Sequence, residues 1–464
     1  MVNLAEISQK ISLLFKEAKN QENHQNHKTI LELYNIEIKN QYLREDILRN
    51  DLLIKNIFNS YKALGKYEDG AAFIINTLKY KFTPTTDNYF LVSFGWNIYF
   101  LLKNVTKTDD EMNIESGNFH PHHNVLKIEK EDLIEYLNCL LKLLNPENAK
   151  EANLRVRVLF QFVKYEKSNT NPDWHNINNF LNLLDVEKLD TNAQIITIKN
   201  GPKAGKQIEL ASDLENWYSY KTKALLEIEY YNECINESEK ALVVLKNYHY
   251  DNAVWLKRRI AISKIKLGEN KEGLKMLYEV LLHKKEWFVF KEYAEELVKL
   301  NEINEALKYA VDAALIKGEI LLRLDLFNVI SEILLKKNEK ELAEKHTLLE
   351  LAVRVERNWK IPKHLEDLYV QIKDELNNYS SKILLEECRN YWKTFLRQAY
   401  VKKILPEKRI GWIRADGTEY FFRFNVFEGS ISKLNEGDKV RFMACKGINR
   451  VKNLIEDDVI YMTL

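Results

Sequence analysis

The residues best suited to chemistry lie near the C-terminal end of the chain. Trp412, Phe421 and Phe424 fall in a stretch that alternates apolar and polar side chains, with Arg423 among them. Lys402, Lys403, Lys408, Arg409, Arg441, Arg450 and Lys452 flank these rings along the sequence. Aromatic rings on a strand surface stack on the bases of a single strand, at about 1–3 kcal/mol per base, while lysine and arginine follow the phosphates. The flat guanidinium of Arg423 can lie on a base as well. Charge is distributed to match: Arg397 to Ile455 holds 13 Lys and Arg against 6 Asp and Glu, a net +7, while the whole chain carries only +1. The remainder is therefore mildly acidic, and phosphate contact is expected at one end.

Other motifs carry less. GPKAGK (201–206) has three residues between Gly201 and Gly205, and Gln207 stands where a phosphate-binding loop needs Ser or Thr for magnesium. It reads as a hairpin turn. HPHH (120–123) places His120, His122 and His123 too close together to surround one metal, and reads as a solvated loop. Trp217, Tyr218 and Tyr220 share one helix and read as core. No Ser-His-Asp, Cys-His or paired-carboxylate pattern stands out from chance. The expectation is a chain without catalytic residues, metal, cofactor or small-molecule substrate; an enzyme within residues 89–200 is the weakest reading.

What must position the C-terminal cluster is a longer, different kind of structure. A chain of 464 residues exceeds a single core, and 45% apolar with 30% charged residues is globular composition. Only 14 Gly and 7 Pro favour long helices over turn-rich β architectures. Four cysteines without a close pair point to a reducing cytoplasm. No run of apolar residues is long enough for a signal peptide or a membrane span, so no membrane partner is expected. High Lys, Asn and Ile usage points to an AT-rich bacterial genome.

Small residues at Cys234, Gly273, Ala306 and Ala343 recur at spacings of 39, 33 and 37. Each begins a second helix after a short polar turn, as in NEINEALKYAVDAAL (301–315). Antiparallel helices approach closely only where a small side chain sits at the crossing, and each pair leaves an apolar face for its neighbour to bury. Tyr293, Ala294, Leu297, Ile303, Ala306, Ala310 and Ala313 stand in the order of the tetratricopeptide repeat, which this segment resembles in degenerate form. Tyr61, Gly65, Tyr67 and Gly70 fit the same frame earlier in the chain. The resemblance implies a helical superhelix with a groove for a protein partner, lined by Asn216, Arg258 and Lys291, although a solvated face fits those residues as well.

From Val401 the period switches to alternation. KRIGWI (408–413), ADGTE (415–419), YFFRFNVF (420–427) and EGDKVRF (436–442) follow one another with a Gly-bearing segment, KGINRVKNLI (446–455), after them. This order resembles a cold-shock domain, a five-stranded OB-fold barrel, over about an eighth of the chain. The resemblance implies that Trp412, Phe421 and Phe424 stack bases and that Arg423 replaces a stacking histidine. It departs at Lys403 and Ile410, where that family has rings, and at Arg409, where it has glycine. Weaker and more salt-dependent binding is expected from those departures.

The sequence thus predicts a mostly α chain, a tetratricopeptide-like α-solenoid with a small C-terminal all-β OB-fold barrel. Its segments are an N-terminal helical region (1–88), an irregular helical region (89–212) with a β-hairpin at 193–210, repeats (213–380), a connecting helix (381–400) and the barrel (401–464). The expected function is a cytoplasmic adaptor binding single-stranded RNA or DNA and a protein partner. The alternative is a protein-interaction scaffold, as in bacterial regulatory or anti-phage systems, whose barrel has lost its ligand.

Overall fold

The computed structural model describes residues 3–21, 24–110, 126–198, 205–373, 379–449 and 454–464. The chain is mostly helical, with a C-terminal antiparallel sheet, and divides into two compact units, Met1–Glu229 and Tyr230–Leu464. No described helix is long and apolar enough to cross a membrane. HPHH (120–123), most of GPKAGK, and Arg450 and Lys452 lie outside the described residues.

The N-terminal unit opens with α1 (Leu4–Gln21), α2 (His24–Leu33), α3 (Arg44–Leu48), α4 (Asp51–Ala63) and α5 (Tyr67–Ala72). Then come α6 (Asn88–Asp110), α7 (Lys130–Leu143), α8 (Ala149–Ser168) and α9 (Trp174–Leu181). Helix starts are set by capping side chains: Asn50, Asn148 and Asp173 accept backbone N–H bonds at the starts of α4, α8 and α9. Strands β1 (Gln194–Thr197) and β2 (Gln207–Leu210) pair antiparallel, which is the hairpin that the alternation around 193–210 predicts. The last helix, α10 (Asp213–Glu227), buries Trp217 and Tyr218, and Tyr220 packs edge-on against Phe160. Trp217 and Tyr218 are core, as expected; Tyr220 is only half-buried.

The C-terminal unit starts with α11 (Tyr231–Val244), α12 (Asn252–Lys266), α13 (Asn270–His283), α14 (Trp287–Lys299), α15 (Ile303–Leu315), α16 (Leu324–Lys336) and α17 (Lys340–Glu356). Each of these packs on the next in chain order. One turn recurs between paired helices. Gly268, Asn301 and Asn338 have φ of 92°, 61° and 61°, and each lies five residues before Gly273, Ala306 or Ala343. The next residue's N–H reaches back to the carbonyl five positions earlier, at 2.9 Å in all three turns (Glu269 to Lys264, Glu302 to Leu297, Glu339 to Leu334). This is the Schellman closure of a helix C-terminus, which needs the left-handed conformation that Gly and Asn tolerate best. Gly65 (φ 70°) and Gly70 repeat it in the N-terminal unit, with Lys66 N–H 2.9 Å from the Tyr61 carbonyl.

The small residues are required by contact. A Cβ on Gly273 would stand 2.6 Å from Ile265 Cγ1 and 2.7 Å from the Ala261 carbonyl oxygen, so α12 and α13 cross without room for a methyl group. Ala306 and Ala343 are fully buried at the matching crossings.

Two short helices, α18 (Lys363–Ile372) and α19 (Ser381–Trp392), precede the sheet. Its strands are β3 (Arg397–Leu405), β4 (Ile410–Ala415), β5 (Thr418–Arg423), β6 (Lys439–Asn449) and β7 (Leu454–Thr463), in the order β5-β4-β3-β6-β7. The segment read as a connecting helix to residue 400 is helical only to Trp392 and a following short turn; Arg397–Tyr400 already belong to β3. Alternating Ala399, Val401, Ile413, Tyr420, Phe422, Val440 and Phe442 form the inner core of the sheet. The sheet is an open antiparallel one. The segment after β5 meets β7 at an isolated parallel bridge between Phe427 and Met462, where Glu428 N–H donates to the Met462 carbonyl at 2.7 Å.

The outer face of the sheet is divided. Met443, Ile460 and Tyr461, from β6 and β7, belong to the same core as Leu277, Ala314, Cys388 and Trp392 of the helices. Several buried ionisable groups lie in or against that core, His346 and Asp312 among them. His346 on α17 accepts from Trp392 Nε1 through Nε2 at 2.9 Å, and its Nδ1 is 2.7 Å from the Leu342 carbonyl. An indole N–H only donates, so the ring is neutral with its proton on Nδ1. Burial lowers its pKa to about 4. Asp312 on α15 is 1% exposed, both its oxygens lack hydrogen-bond partners, and burial raises its pKa to about 7 against the nearby Lys308 and Lys285.

Two outcomes are expected. Gly273→Ala destabilises the chain by about 1–3 kcal/mol, the usual cost of overpacking, measurable in urea titrations. The buried pair gives opposite pH slopes. The stability tied to His346 is present above 6.5 and is lost as pH falls toward 4, whereas that tied to Asp312 is present below 3.8 and is lost as pH rises through 7. Thermal melts of Asp312→Asn should therefore show stability climbing more steeply than wild type from pH 4 to 6.5. Those of His346→Gln should show it falling over the same range.

Candidate nucleic-acid interface

The uncovered part of the outer face is carried by β3, β4 and β5. Pairing sets its rows: Trp412 stands opposite Phe421 on β5 and opposite Lys403 on β3. A register shift between Val401 and Lys403 inserts the extra residue Lys402, so both lysines reach solvent. Trp412 and Phe421 are half-buried and meet edge-to-face, with centroids 5.7 Å apart at 67°. Their neighbours Ile413, Tyr420 and Phe422 point inward, as a period of two requires.

Two glycine positions shape this surface. Gly411 lies opposite Phe422, and a Cβ there would come within 2.5 Å of the Phe422 ring and 2.8 Å of the Lys403 carbonyl. The ring can fill the core only because position 411 is bare. Asp416 (φ 48°) and Gly417 (φ 77°) close the β4–β5 hairpin as a two-residue turn with both φ positive, the geometry that matches strand twist.

The other predicted residues are dispersed around this centre. Lys408 and Arg409 form the β3–β4 turn and are exposed. Arg409 has φ 56°, so an arginine occupies a left-handed position, with its carbonyl accepting from Phe424 N–H at 3.0 Å. Arg423 is exposed at the end of β5, opposite Ile410, and its charge acts on Asp458 of β7. Arg441 is exposed on β6 opposite Gln398. Phe424 is partly spent on the core: its ring lies nearly parallel to Phe422, at 27° and 6.2 Å.

Lys402 does not stand free. Its Nζ contacts Glu419 Oε1, and the same oxygen accepts from Arg414 Nη2 at 2.6 Å. The two cations hold the Glu419 carboxyl below its usual range. Arg414, Glu419 and Tyr400 were not singled out from the sequence. Tyr400 is 58% exposed and stands in register with Arg414. Its outward position follows from alternation along β3, a signal hidden when the segment is read as helix.

The groove residues have other partners. Arg258 on α12 binds Glu292 on α14 through Nε at 2.9 Å and lies over the Phe288 ring. Lys291 on α14 binds Asp325 on α16 at 2.5 Å. Both pairs span 34 residues, so they link the first helices of successive pairs. Asn216, in the N-terminal unit, donates to the Ala211 carbonyl of its own helix start at 3.1 Å. All three are engaged within the chain. No protein-family model and no curated protein matches this sequence.

A left-handed non-glycine residue costs about 1–2 kcal/mol. Set against glycine's extra chain entropy of about 0.5–1 kcal/mol, Arg409→Gly should gain about 1 kcal/mol and raise the melting temperature of the C-terminal unit, Tyr230–Leu464, by about 2–4 °C, read by differential scanning calorimetry. An unchanged or lowered value would mean that the arginine side chain itself stabilises the turn.

Proposed function

We propose that this chain is a non-catalytic adaptor that binds single-stranded nucleic acid on the open β3–β5 face and a protein partner on its helical array. The observation that carries the reading is the row Lys403–Trp412–Phe421: two adjacent half-buried rings and an exposed cation on one strand-paired surface. Stacking platforms for single strands are built this way, and they tolerate any base because every base has a π-face. Lys408 and Arg409 add exposed cations in the β3–β4 turn, and Arg441 adds another on β6, opposite Gln398.

The strand order and the parallel bridge between Phe427 and Met462 support an OB-fold, cold-shock-like reading of the sheet. That fold binds oligonucleotides on the surface of its second and third strands and on the loop between its first two. Here those are β4, β5 and the turn bearing Lys408 and Arg409. The recurring Schellman turns five residues before Gly70, Gly273, Ala306 and Ala343 support the tetratricopeptide-like reading of the array. The strongly perturbed groups Asp312 and His346 are buried rather than set in a cleft, which fits a binding protein better than an enzyme.

Fluorescence anisotropy with labelled oligo(U) and oligo(dT) of about 15 nucleotides, within reach of one such site, tests the reading. Trp412→Ala and Phe421→Ala should each weaken binding by about 5- to 150-fold, the equivalent of one lost stacked base. Wild-type affinity should fall as salt rises. Point variants are the proper tool, because cutting the chain at Tyr400 would split β3 and strip Met443, Ile460 and Tyr461 from the helices they cover. Absence of binding to either strand would favour the scaffold reading, in which the same surface meets protein.

A further inference from the structure

Glu419 stands within the open face, one row from the stacking rings. β4 and β5 pair Arg414 with Glu419 and Trp412 with Phe421, two residues apart on each strand, so both pairs share the outer side. Lys402 reaches Glu419 from β3, across the strand between them. One carboxylate oxygen thus collects an ammonium and a guanidinium. The three side chains are 43%, 55% and 38% exposed, so none is sealed in the core.

We infer that Glu419 is a built-in competitor for the nucleic-acid backbone: its carboxylate occupies Lys402 and Arg414 in the free protein and must be displaced by phosphate when a strand binds. The inference rests on the nucleic-acid reading of the same face. Two physical points carry it. Exposed ion pairs are individually weak, so a phosphate can replace the carboxylate. The fork of Arg414 and the ammonium of Lys402 suit phosphate oxygens as well as they suit Glu419. With the rings holding bases, the adjoining row is where a sugar–phosphate backbone would run. The carboxylate left behind then faces the bound strand, and this opposes tight binding. Affinity and salt dependence are both held below what the basic count of the sheet would give.

The test is the salt dependence of oligo(U) and oligo(dT) binding by Glu419→Gln. Glutamine keeps the size of the side chain and removes its charge, freeing Lys402 and Arg414. Two added phosphate contacts should steepen the slope of log K against log salt by about 1.4, at roughly 0.7 per contact on a single strand. Affinity at low salt should rise several-fold, and Lys402→Ala in the Glu419→Gln background should remove about half of the steepening. Asp457→Asn, which removes an equal charge and frees Lys446 on β6, outside the proposed surface, should change the slope far less; an equal change would mean a general field effect and would overturn the inference. Wild-type binding that is sensitive to Trp412→Ala but unaffected by Glu419→Gln would overturn the competitor role and leave the interface standing. Binding by Glu419→Gln alone would support it in its strongest form, and absence of binding by either protein would overturn both.

Discussion

Part of the outer face of β6 and β7, at Met443, Ile460 and Tyr461, packs against α13 and α15, and the organisation of the C-terminal unit follows from that contact. Met443, Ile460 and Tyr461 are buried with helix residues, not with the inner core of their own sheet. Among the described residues, β3 to β5 carry the part of the sheet where half-buried rings and exposed cations stand in the same cross-strand rows. Position on the sheet, more than residue type, divides structural from available aromatics here.

The helical array owes its regularity to a backbone constraint. A left-handed residue ends one helix, its successor closes the Schellman bond, and five residues after the left-handed position the next helix must carry a small side chain. The turn fixes the phase between the helices, and the phase fixes which residue sits at the crossing. Ion pairs spanning 34 residues then tie the first helices of neighbouring pairs, which is why Arg258 and Lys291 serve the stack. The same packing holds His346 neutral by hydrogen bonds of fixed sense, and desolvation raises the pKa of the Asp312 carboxyl.

Electrostatics on the sheet are less simple than its net charge. Several of its cations are matched locally: Lys402 and Arg414 by Glu419, Arg397 by Asp416, and Lys446 by Asp457. Lys403, Lys408 and Arg409 are exposed beside the rings and in the β3–β4 turn, and Arg441 is exposed on β6. The distribution of acidic partners, as much as the number of basic residues, therefore sets the field that a polyanion would meet.

By itself the sequence determined the local features with a fixed chemical period. The small residues of the crossings, the hairpin at 193–210, the Asp-Gly turn and the inward and outward alternation from Tyr420 to Phe422 all follow from neighbours a few positions apart. The boundary before β3 did not, because SKILLEECRNYWKTFLRQAY satisfies a helical pattern along its length and only pairing with β4 and β6 makes its last four residues a strand. Tyr400 was lost with that boundary. Nor could sequence show that Phe424 leans on Phe422, that Lys402 reaches Glu419 across an intervening strand, or that Arg258 and Lys291 have partners 34 residues away. Those are contacts between elements. Tertiary structure alone decides them, because a side chain's availability depends on what the rest of the chain brings beside it.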